Sequence, residues 1–339
     1  MNQIKKTWLI LTTNCNNHCE WCYAESYRHQ NIDFDLIGFE KIIDFLKELG
    51  CQKIVFVGGE PTLYPYLIEA IKISIKNSFK CSVITNGRKL SNLNYLINFK
   101  QFEDKINFII SLEGKKLVHE KITNSLNSFD ETIQGIKNCI SLGLLTATNT
   151  TLCKQNINNI PDLVSLLSNL GINCFSFNYG MPPINHSFRK NTFLELSEIN
   201  EAIRNIKNTI LKDKLLLYIT TPLPLCIFES DILKFLIENN SKINTCCHML
   251  NGKGLILDFN GNILPCTHLT NVSYGNIFKI DSKNEFWKLW DGKIENDYRQ
   301  KLRKYPNIVC DSCSLKNNCT GGCPLLWTYE NPKIVRSIS

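Results

Sequence analysis

Three cysteines fall within eight residues, Cys15, Cys19 and Cys22, in the spacing C-x3-C-x2-C. Cysteine makes up 16 of 339 residues, and at that density chance would produce on the order of 0.03 such triplets in the chain. The triplet is therefore read as chemistry. Thiolates bind soft metals, and structural zinc takes four protein ligands, so three thiols would leave one position open. An iron-sulfur cube with one iron lacking a protein ligand fits the same count, and that iron would be free to bind a small molecule. A second constellation lies in the C-terminal quarter. Cys310, Cys313, Cys319 and Cys323 follow C-x2-C-x5-C-x3-C, preceded by Cys266 in Gly261-x4-Cys266 and by the adjacent pair Cys246 and Cys247. Its spacing alone suits either a zinc ribbon or a further iron-sulfur site.

The elements that must position these thiols follow from periodicity. Short β-branched or aromatic runs at Trp8–Leu11, Lys53–Val57, Ser82–Thr85, Asn107–Ser111, Thr146–Leu152 and Cys174–Tyr179 read as strands. Between them Phe39–Leu49, Tyr66–Lys76, Asp130–Leu142 and Ile160–Leu170 repeat apolar residues at three and four, the helical period, and stop near Gly50, Gly143 and Gly171. Six βα units in series predict an α/β fold with a parallel sheet, either doubly wound or an incomplete (β/α)6 TIM-like barrel, with ligands at the carboxyl ends of the strands. Cys15 to Cys22 directly follow the first strand and so sit at that mouth. Met181, Pro182 and Pro183 then break the rhythm, and Leu196–Lys212 reads as one more helix. Beyond residue 245 come short strands and Cys-bearing loops, with Leu255–Phe259 and Ile263–Leu264 flanking an Asn260-Gly261 hairpin signal. The chain is divided as residues 1–200 (barrel), 201–245 (linking helices) and 246–339 (a small α+β domain).

In this setting the N-terminal triplet, with Trp21 just before its last cysteine, resembles the signature of radical S-adenosylmethionine enzymes. The resemblance implies that Cys15, Cys19 and Cys22 hold a 4Fe-4S cluster whose fourth iron is chelated by the methionine moiety of S-adenosyl-L-methionine. Gly58, Gly59 and Glu60 after the second strand match the family's Gly-Gly-Glu motif and would engage the methionine amino group. Thr85 and Asn86 end the third strand, Ser111 to Gly114 resemble the family's Ser-Leu-Asp-Gly with Glu113 in place of Asp, and Asn149 lies in the fifth strand. These residues, with Trp21 and Tyr23, would face the cofactor's ribose and carboxylate. One departure is that relatives often carry an Arg soon after strand four, whereas His119–Thr123 contains none.

The C-terminal spacing is similar to the SPASM extension of such enzymes, whose thiols hold auxiliary 4Fe-4S clusters. By that resemblance Cys247 or Cys246, with Cys266 and Cys323, would serve a first auxiliary cluster. Cys310, Cys313 and Cys319 would serve a second. The family's final cysteine has no counterpart, since residues 324–339 contain no thiol. One or two auxiliary clusters are therefore expected, and the fourth ligand of the first is either the other member of the Cys246/Cys247 pair or Cys226. Cys226 follows an irregular Pro-Leu-Pro-Leu stretch and is read as a hydrogen-atom donor or cluster ligand, beside the plainer reading of a packed loop thiol. Cys51, Cys81, Cys139, Cys153 and Cys174 read as small buried hydrophobes. His248 and His268 lie beside ligand cysteines and read as solvated or supporting groups.

Composition narrows the function further. With 43% hydrophobic and 20% charged residues the chain is no disordered or collagen-like protein. The net charge of +7 is scattered rather than gathered into a basic stripe, which argues against nucleic acid. The N-terminal apolar run is too short for a signal peptide, and Leu215–Phe228, broken by two prolines, is too short for a membrane span. A reducing cytoplasm is expected, with metal rather than disulfides on the clustered thiols. The resemblance implies a radical enzyme that takes a hydrogen atom from a peptide, most simply a ribosomally made precursor carrying a leader, by crosslinking, epimerisation or oxidation. The electron would come from a flavodoxin- or ferredoxin-type donor. Only 14 residues precede Cys15, so the leader is expected to be held by the core or by a separate recognition protein. Sulfatase maturation or a heme or cofactor pathway is the enzymatic alternative, and a zinc-ribbon structural or nucleic-acid-binding protein is the alternative of another class.

Overall fold

The structure, a computed structural model, describes residues 3–181, 192–248, 250–300, 306–316, 319–328, 331, 333 and 335. Pro182 and Pro183 of the expected chain break lie outside them. The six expected strands are present as β1 (Lys6–Ile10), β2 (Lys53–Val57), β3 (Lys80–Thr85), β4 (Ile106–Ser111), β5 (Leu145–Leu152) and β6 (Cys174–Tyr179). Helices α1 (Leu36–Glu48), α2 (Leu67–Lys76), α3 (Leu93–Leu96), α4 (Lys116–Thr123), α5 (Ser128–Ser141) and α6 (Ile160–Asn169) fall between them. The glycine after α6 takes the left-handed conformation that ends a helix, with φ 83° at Gly171. Asp35 caps α1 by accepting from the Gly38 amide at 2.7 Å, and Phe39, Ile42, Ile43 and Leu46 form its buried face.

Three strands extend the sheet beyond expectation. After α7 (Leu196–Asp213), β7 (Leu216–Ile219), α8 (Ser230–Glu238) and β8 (Lys242–Ile243) continue the parallel pattern, so the stretch read as linking helices also carries strands. β9 (Gly254–Leu257) pairs in parallel with β1, Leu255 opposite Thr7. The sheet is thus open and nine-stranded, in the order β8-β7-β6-β5-β4-β3-β2-β1-β9. The expected hairpin at Asn260 is present: Leu257 bridges Ile263 in antiparallel fashion, the Asp258 amide donates to the Asn262 carbonyl at 3.1 Å and the Leu264 amide to the Ile256 carbonyl at 2.9 Å, while β1 takes the other edge of β9. Among the described residues no helix is long and apolar enough to cross a membrane.

Strand alternation divides the core in two, and this division places the site. Leu9, Ile54, Phe56, Val83, Phe108 and Ile110 point to the helices and join the main core. Ile10, Val55 and Val57 point the other way, into a smaller cluster with Ala24, Tyr27 and Leu264, against which Trp8, Cys22, Tyr23 and Phe259 pack. The cysteine loop is therefore folded back over the inner face of β1 and β2, held by an apolar patch of its own. Full burial of each such side chain contributes about 1.5–3 kcal/mol. Cys51, Cys81, Cys139 and Cys153 are buried as expected, whereas Cys174, at the start of β6, is only half-buried.

Candidate functional site

The loop after β1 is closed at its neck by backbone hydrogen bonds, Thr13 to Ile32 at 2.9 Å and His29 to Thr13 at 2.7 Å. It is tied to the end of β2 by Gly59 N–H donating to Thr12 at 2.7 Å and Glu60 N–H to Asn14 at 2.6 Å. Its far side meets the end of α4, where His18 N–H donates to Thr123 at 2.9 Å. Inside the loop the Asn17 amide donates to Cys15 Sγ and the Ala24 amide to Cys22 Sγ, both at 3.4 Å. Such bonds favour thiolate over thiol.

Two arginines that the motif reading passed over brace this loop. Arg28 donates to the Cys19 carbonyl at 3.2 Å, and its charge lowers the pKa of Cys15, Cys19 and Cys22 alike. It is the one Lys or Arg between Cys15 and Asn31, and that isolation was its signal. Arg88, just after β3, donates to the Asn16 carbonyl and to Asn17 Oδ1 and pairs with Glu131. Burial dominates the thiols: it pushes Cys15 up to about 12, and Cys19 rises well above its ordinary value through burial and then the neighbouring Cys22, Cys15 and Glu113. Three half-buried thiols on one short loop would give up their protons on binding a cation. Among the described residues no group of three His, Cys, Asp or Glu side chains converges tightly enough for a single ion. A cube spreads its thiolates more widely than one ion does, and the all-thiol donor set on one loop fits such a cluster.

Glu60, 1% exposed, is engaged within the protein. Its Oε1 accepts from the Thr62 amide at 3.0 Å, the Thr62 hydroxyl at 2.7 Å and the Thr85 hydroxyl at 2.6 Å, and its Oε2 from the Asn86 amide at 2.7 Å. The carboxylate thereby locks the ends of β2 and β3 together, and Asn86 Nδ2 carries the link on to Asn16 Oδ1 of the cysteine loop at 2.7 Å. Ser111 and Asn149 stand opposite each other where β4 meets β5. Asn149 Oδ1 accepts from the Ser176 hydroxyl at 3.2 Å. Glu113, pushed up to about 8 by burial, accepts from the Thr151 amide at 2.8 Å. Where an arginine is expected, His119 is buried: Nδ1 accepts from the Glu113 amide at 3.1 Å, leaving Nε2 to carry the proton. That Nε2 has no partner among the described residues, and burial, then Arg88, draws the ring's pKa down to about 4. Trp21 Nε1 is likewise buried without a partner there.

The distant cysteines gather in two groups. Cys323 is raised by burial and then by Cys266 and Cys247, and Cys266 is pushed up to about 11 with Cys247 among the causes. Cys247, Cys266 and Cys323 are thus neighbours, and Tyr298 feels all three. Cys246 instead accepts from Asn251 Nδ2 at 3.4 Å. Tyr23 joins this group to the N-terminal loop, packing on His268 at 5.2 Å between ring centres and lying close to Cys22, Cys15 and Cys266. Cys319 senses Cys226 and Cys310. None of the 16 cysteines is in a disulfide.

Fold and thiol loop together define an open parallel α/β protein with a three-cysteine loop at the carboxyl edge of its sheet. Residues 9–167 match the Radical SAM superfamily. Fe-coproporphyrin III synthase of Methanosarcina barkeri is 27% identical over 198 residues, 57% of this chain and 48% of that protein. The tungsten-containing aldehyde ferredoxin oxidoreductase cofactor-modifying protein of Pyrococcus furiosus is 21% identical over 93% of this chain and 89% of its own length. The subtilosin biosynthesis protein AlbA of Bacillus subtilis is 29% identical over 50% of this chain and 38% of its own. The chain thus spans about half the length of the first relative and less of the third. Streptococcus suis SuiB bound to the precursor peptide SuiA superposes with a TM-score of 0.75 at 18% identity, covering 100% of this chain and 76% of SuiB. At that identity the likeness is one of fold.

Proposed function

We propose that this enzyme modifies a ribosomally made precursor peptide, and that it carries auxiliary clusters in addition to the one on Cys15, Cys19 and Cys22. The observation that carries the reading is the second gathering of thiols, Cys247, Cys266 and Cys323, joined to the N-terminal loop through Tyr23. The folds of SuiB and the sequence of AlbA, both tied by name to peptide products, support it. Held by Cys15, Cys19 and Cys22 and the strand ends beside them, a cluster with S-adenosylmethionine would supply one-electron radical chemistry able to remove a hydrogen atom from the peptide. The chain's own part is positioning. The Gly58-Gly59 backbone and Asn86 shape the methionine end, Ser111, Glu113 and Asn149 face the nucleoside end, and Trp21 and Tyr23 wall the site from solvent. His119 Nε2–H, a buried donor, serves the carboxylate in place of an arginine. Mass spectrometry of a precursor encoded beside the gene, incubated with reduced enzyme, tests the reading. A mass change together with peptide-stimulated 5′-deoxyadenosine is expected. Stimulation by a porphyrin or sulfatase peptide instead would turn the assignment to the alternative pathways.

The electron comes from an acidic donor of flavodoxin or ferredoxin type. Lys5, Lys6, Lys53, Lys80 and Lys253 line one cleft of about 710 Å³ with His248, the residue next to Cys247. Such a basic patch beside a cluster site speeds the encounter with an acidic partner in a salt-dependent way. Reversing the exposed Lys5, Lys80 and Lys253 to Glu should raise the KM for flavodoxin at least about tenfold while leaving dithionite-driven turnover unchanged. An unaltered KM would place docking elsewhere.

A further inference from the structure

The N-terminal cysteine loop is held on two sides by different parts of the chain. Its first half is fastened to the sheet, through Glu60 N–H to Asn14 and Arg88 to Asn17 Oδ1 at 2.9 Å. Its second half, residues 23–30, is a series of turns with no helix or strand of its own. That half leans on residues 259–270. Ser26 Oγ lies 2.9 Å from Thr270 Oγ1, 244 residues away in sequence. The Tyr27 ring packs on Phe259 at 5.6 Å between centres, and the Tyr23 ring on His268 at 5.2 Å with the planes 34° apart. The supporting segment is firm, because the Ile263 amide donates to Gly275 at 2.8 Å and the Tyr274 amide to Ile263 at 2.9 Å. His268 stands between two thiols. Its amide donates to Cys266 Sγ at 3.5 Å, and its Nδ1 lies 3.8 Å from the same sulfur. The other side of the contact is Tyr23, which follows Cys22 and precedes Ala24, whose amide donates to Cys22 Sγ at 3.4 Å.

We propose that His268 is a positioning residue for the N-terminal cysteine loop: oriented by the Cys266 thiol, its ring holds Tyr23 and so fixes where Cys22 and the Ala24 amide stand. Aromatic rings at this separation attract each other beyond the area they bury. A loop made of turns has little else to keep its second half in place, so the contact decides how closed that half is. The inference rests on the auxiliary-cluster reading above in one step, that Cys266 binds metal; the ring contact is independent of it. Its consequence is a coupling between the two thiol sites. Binding at Cys266 steadies the N-terminal loop, and binding on the N-terminal loop steadies Cys266 by the same factor.

The test uses the full chain, reconstituted anaerobically, and compares His268→Ala, which removes the ring, with His268→Phe, which keeps one. Hydrogen exchange of residues 23–30 should quicken at least about fivefold in His268→Ala and return to within about twofold of wild type in His268→Phe, while β2 exchanges as before. The midpoint potential of the cluster on Cys15, Cys19 and Cys22, followed by electron paramagnetic resonance, should rise in His268→Ala and not in His268→Phe. A loosened loop admits water, and water stabilises the more negative, reduced state. Cys266→Ala should quicken the same amides and add nothing where His268→Phe is already present. Wild-type exchange and potential in His268→Ala would overturn the proposal, as would a His268→Phe that behaves like His268→Ala. If Cys266→Ala loses iron but leaves residues 23–30 at the wild-type exchange rate, the thiol does not orient the ring and the coupling is overturned although the auxiliary clusters stand. If Cys266→Ala keeps the wild-type iron content, the auxiliary reading falls, and the ring contact is judged by the two His268 variants alone.

Discussion

Replacing Cys15, Cys19 and Cys22 together by alanine is expected to abolish formation of 5′-deoxyadenosine and to lower reconstituted iron by about four atoms per chain. The three thiols are the donor set of the loop, and even residues that merely orient metal ligands contribute about 10–100-fold in affinity. Removing the donors therefore takes the reaction below detection. The fold should survive, because the neck of the loop is closed by backbone bonds, and the main core of Leu9, Phe56 and Phe108 includes none of the three. Chromatography of 5′-deoxyadenosine beside iron analysis and circular dichroism reads all three quantities. An unchanged nucleoside yield would sink the assignment of the loop.

Gly59→Ala is expected to be the most damaging single-methyl change near the site. A Cβ at Gly59 would lie 2.3 Å from the Asn14 oxygen, 2.7 Å from the Asn14 carbonyl carbon and 2.8 Å from the Thr13 oxygen. These are backbone atoms that cannot rotate away, so the cysteine loop itself must shift. The shift strains the bonds Gly59 to Thr12 at 2.7 Å and Glu60 to Asn14 at 2.6 Å. Overpacking of this kind costs about 1–3 kcal/mol, and each weakened hydrogen bond adds about 1 kcal/mol. The variant should melt several degrees lower and bind S-adenosylmethionine at least about tenfold more weakly, since 1.4 kcal/mol is tenfold in affinity. Gly292→Ala, where a Cβ meets nothing within 4 Å, is the control and should bind as the wild type does. Calorimetric titration that finds the Gly59 variant unimpaired would remove close approach as the reason for glycine there.

The sequence by itself determined the six central strands, most within one or two residues, and four of the six helices between them, the short α3 and α4 excepted. Apolar period and cap residues are local quantities, and α1 with Asp35 at its start needs nothing distant to be recognised. It also determined the N-terminal thiol loop, since C-x3-C-x2-C lies within eight residues. Tertiary structure decided what depends on segments meeting. β9 joins β1 across about 250 residues, and a parallel edge leaves no local turn signal of the kind that Asn260-Gly261 gives for the hairpin that follows β9. Spacing left Cys246 and Cys247 equivalent, and the folded chain sets the Cys246 thiol against Asn251 Nδ2. Glu60 reads as a ligand-facing acid from its motif, and two of its four internal hydrogen bonds follow from where β3 delivers Thr85 and Asn86. The loop at Pro222 meets Cys323 in the same way, through the docking of one irregular loop on another. Neither loop has a period, so their meeting could be seen only once the chain was folded.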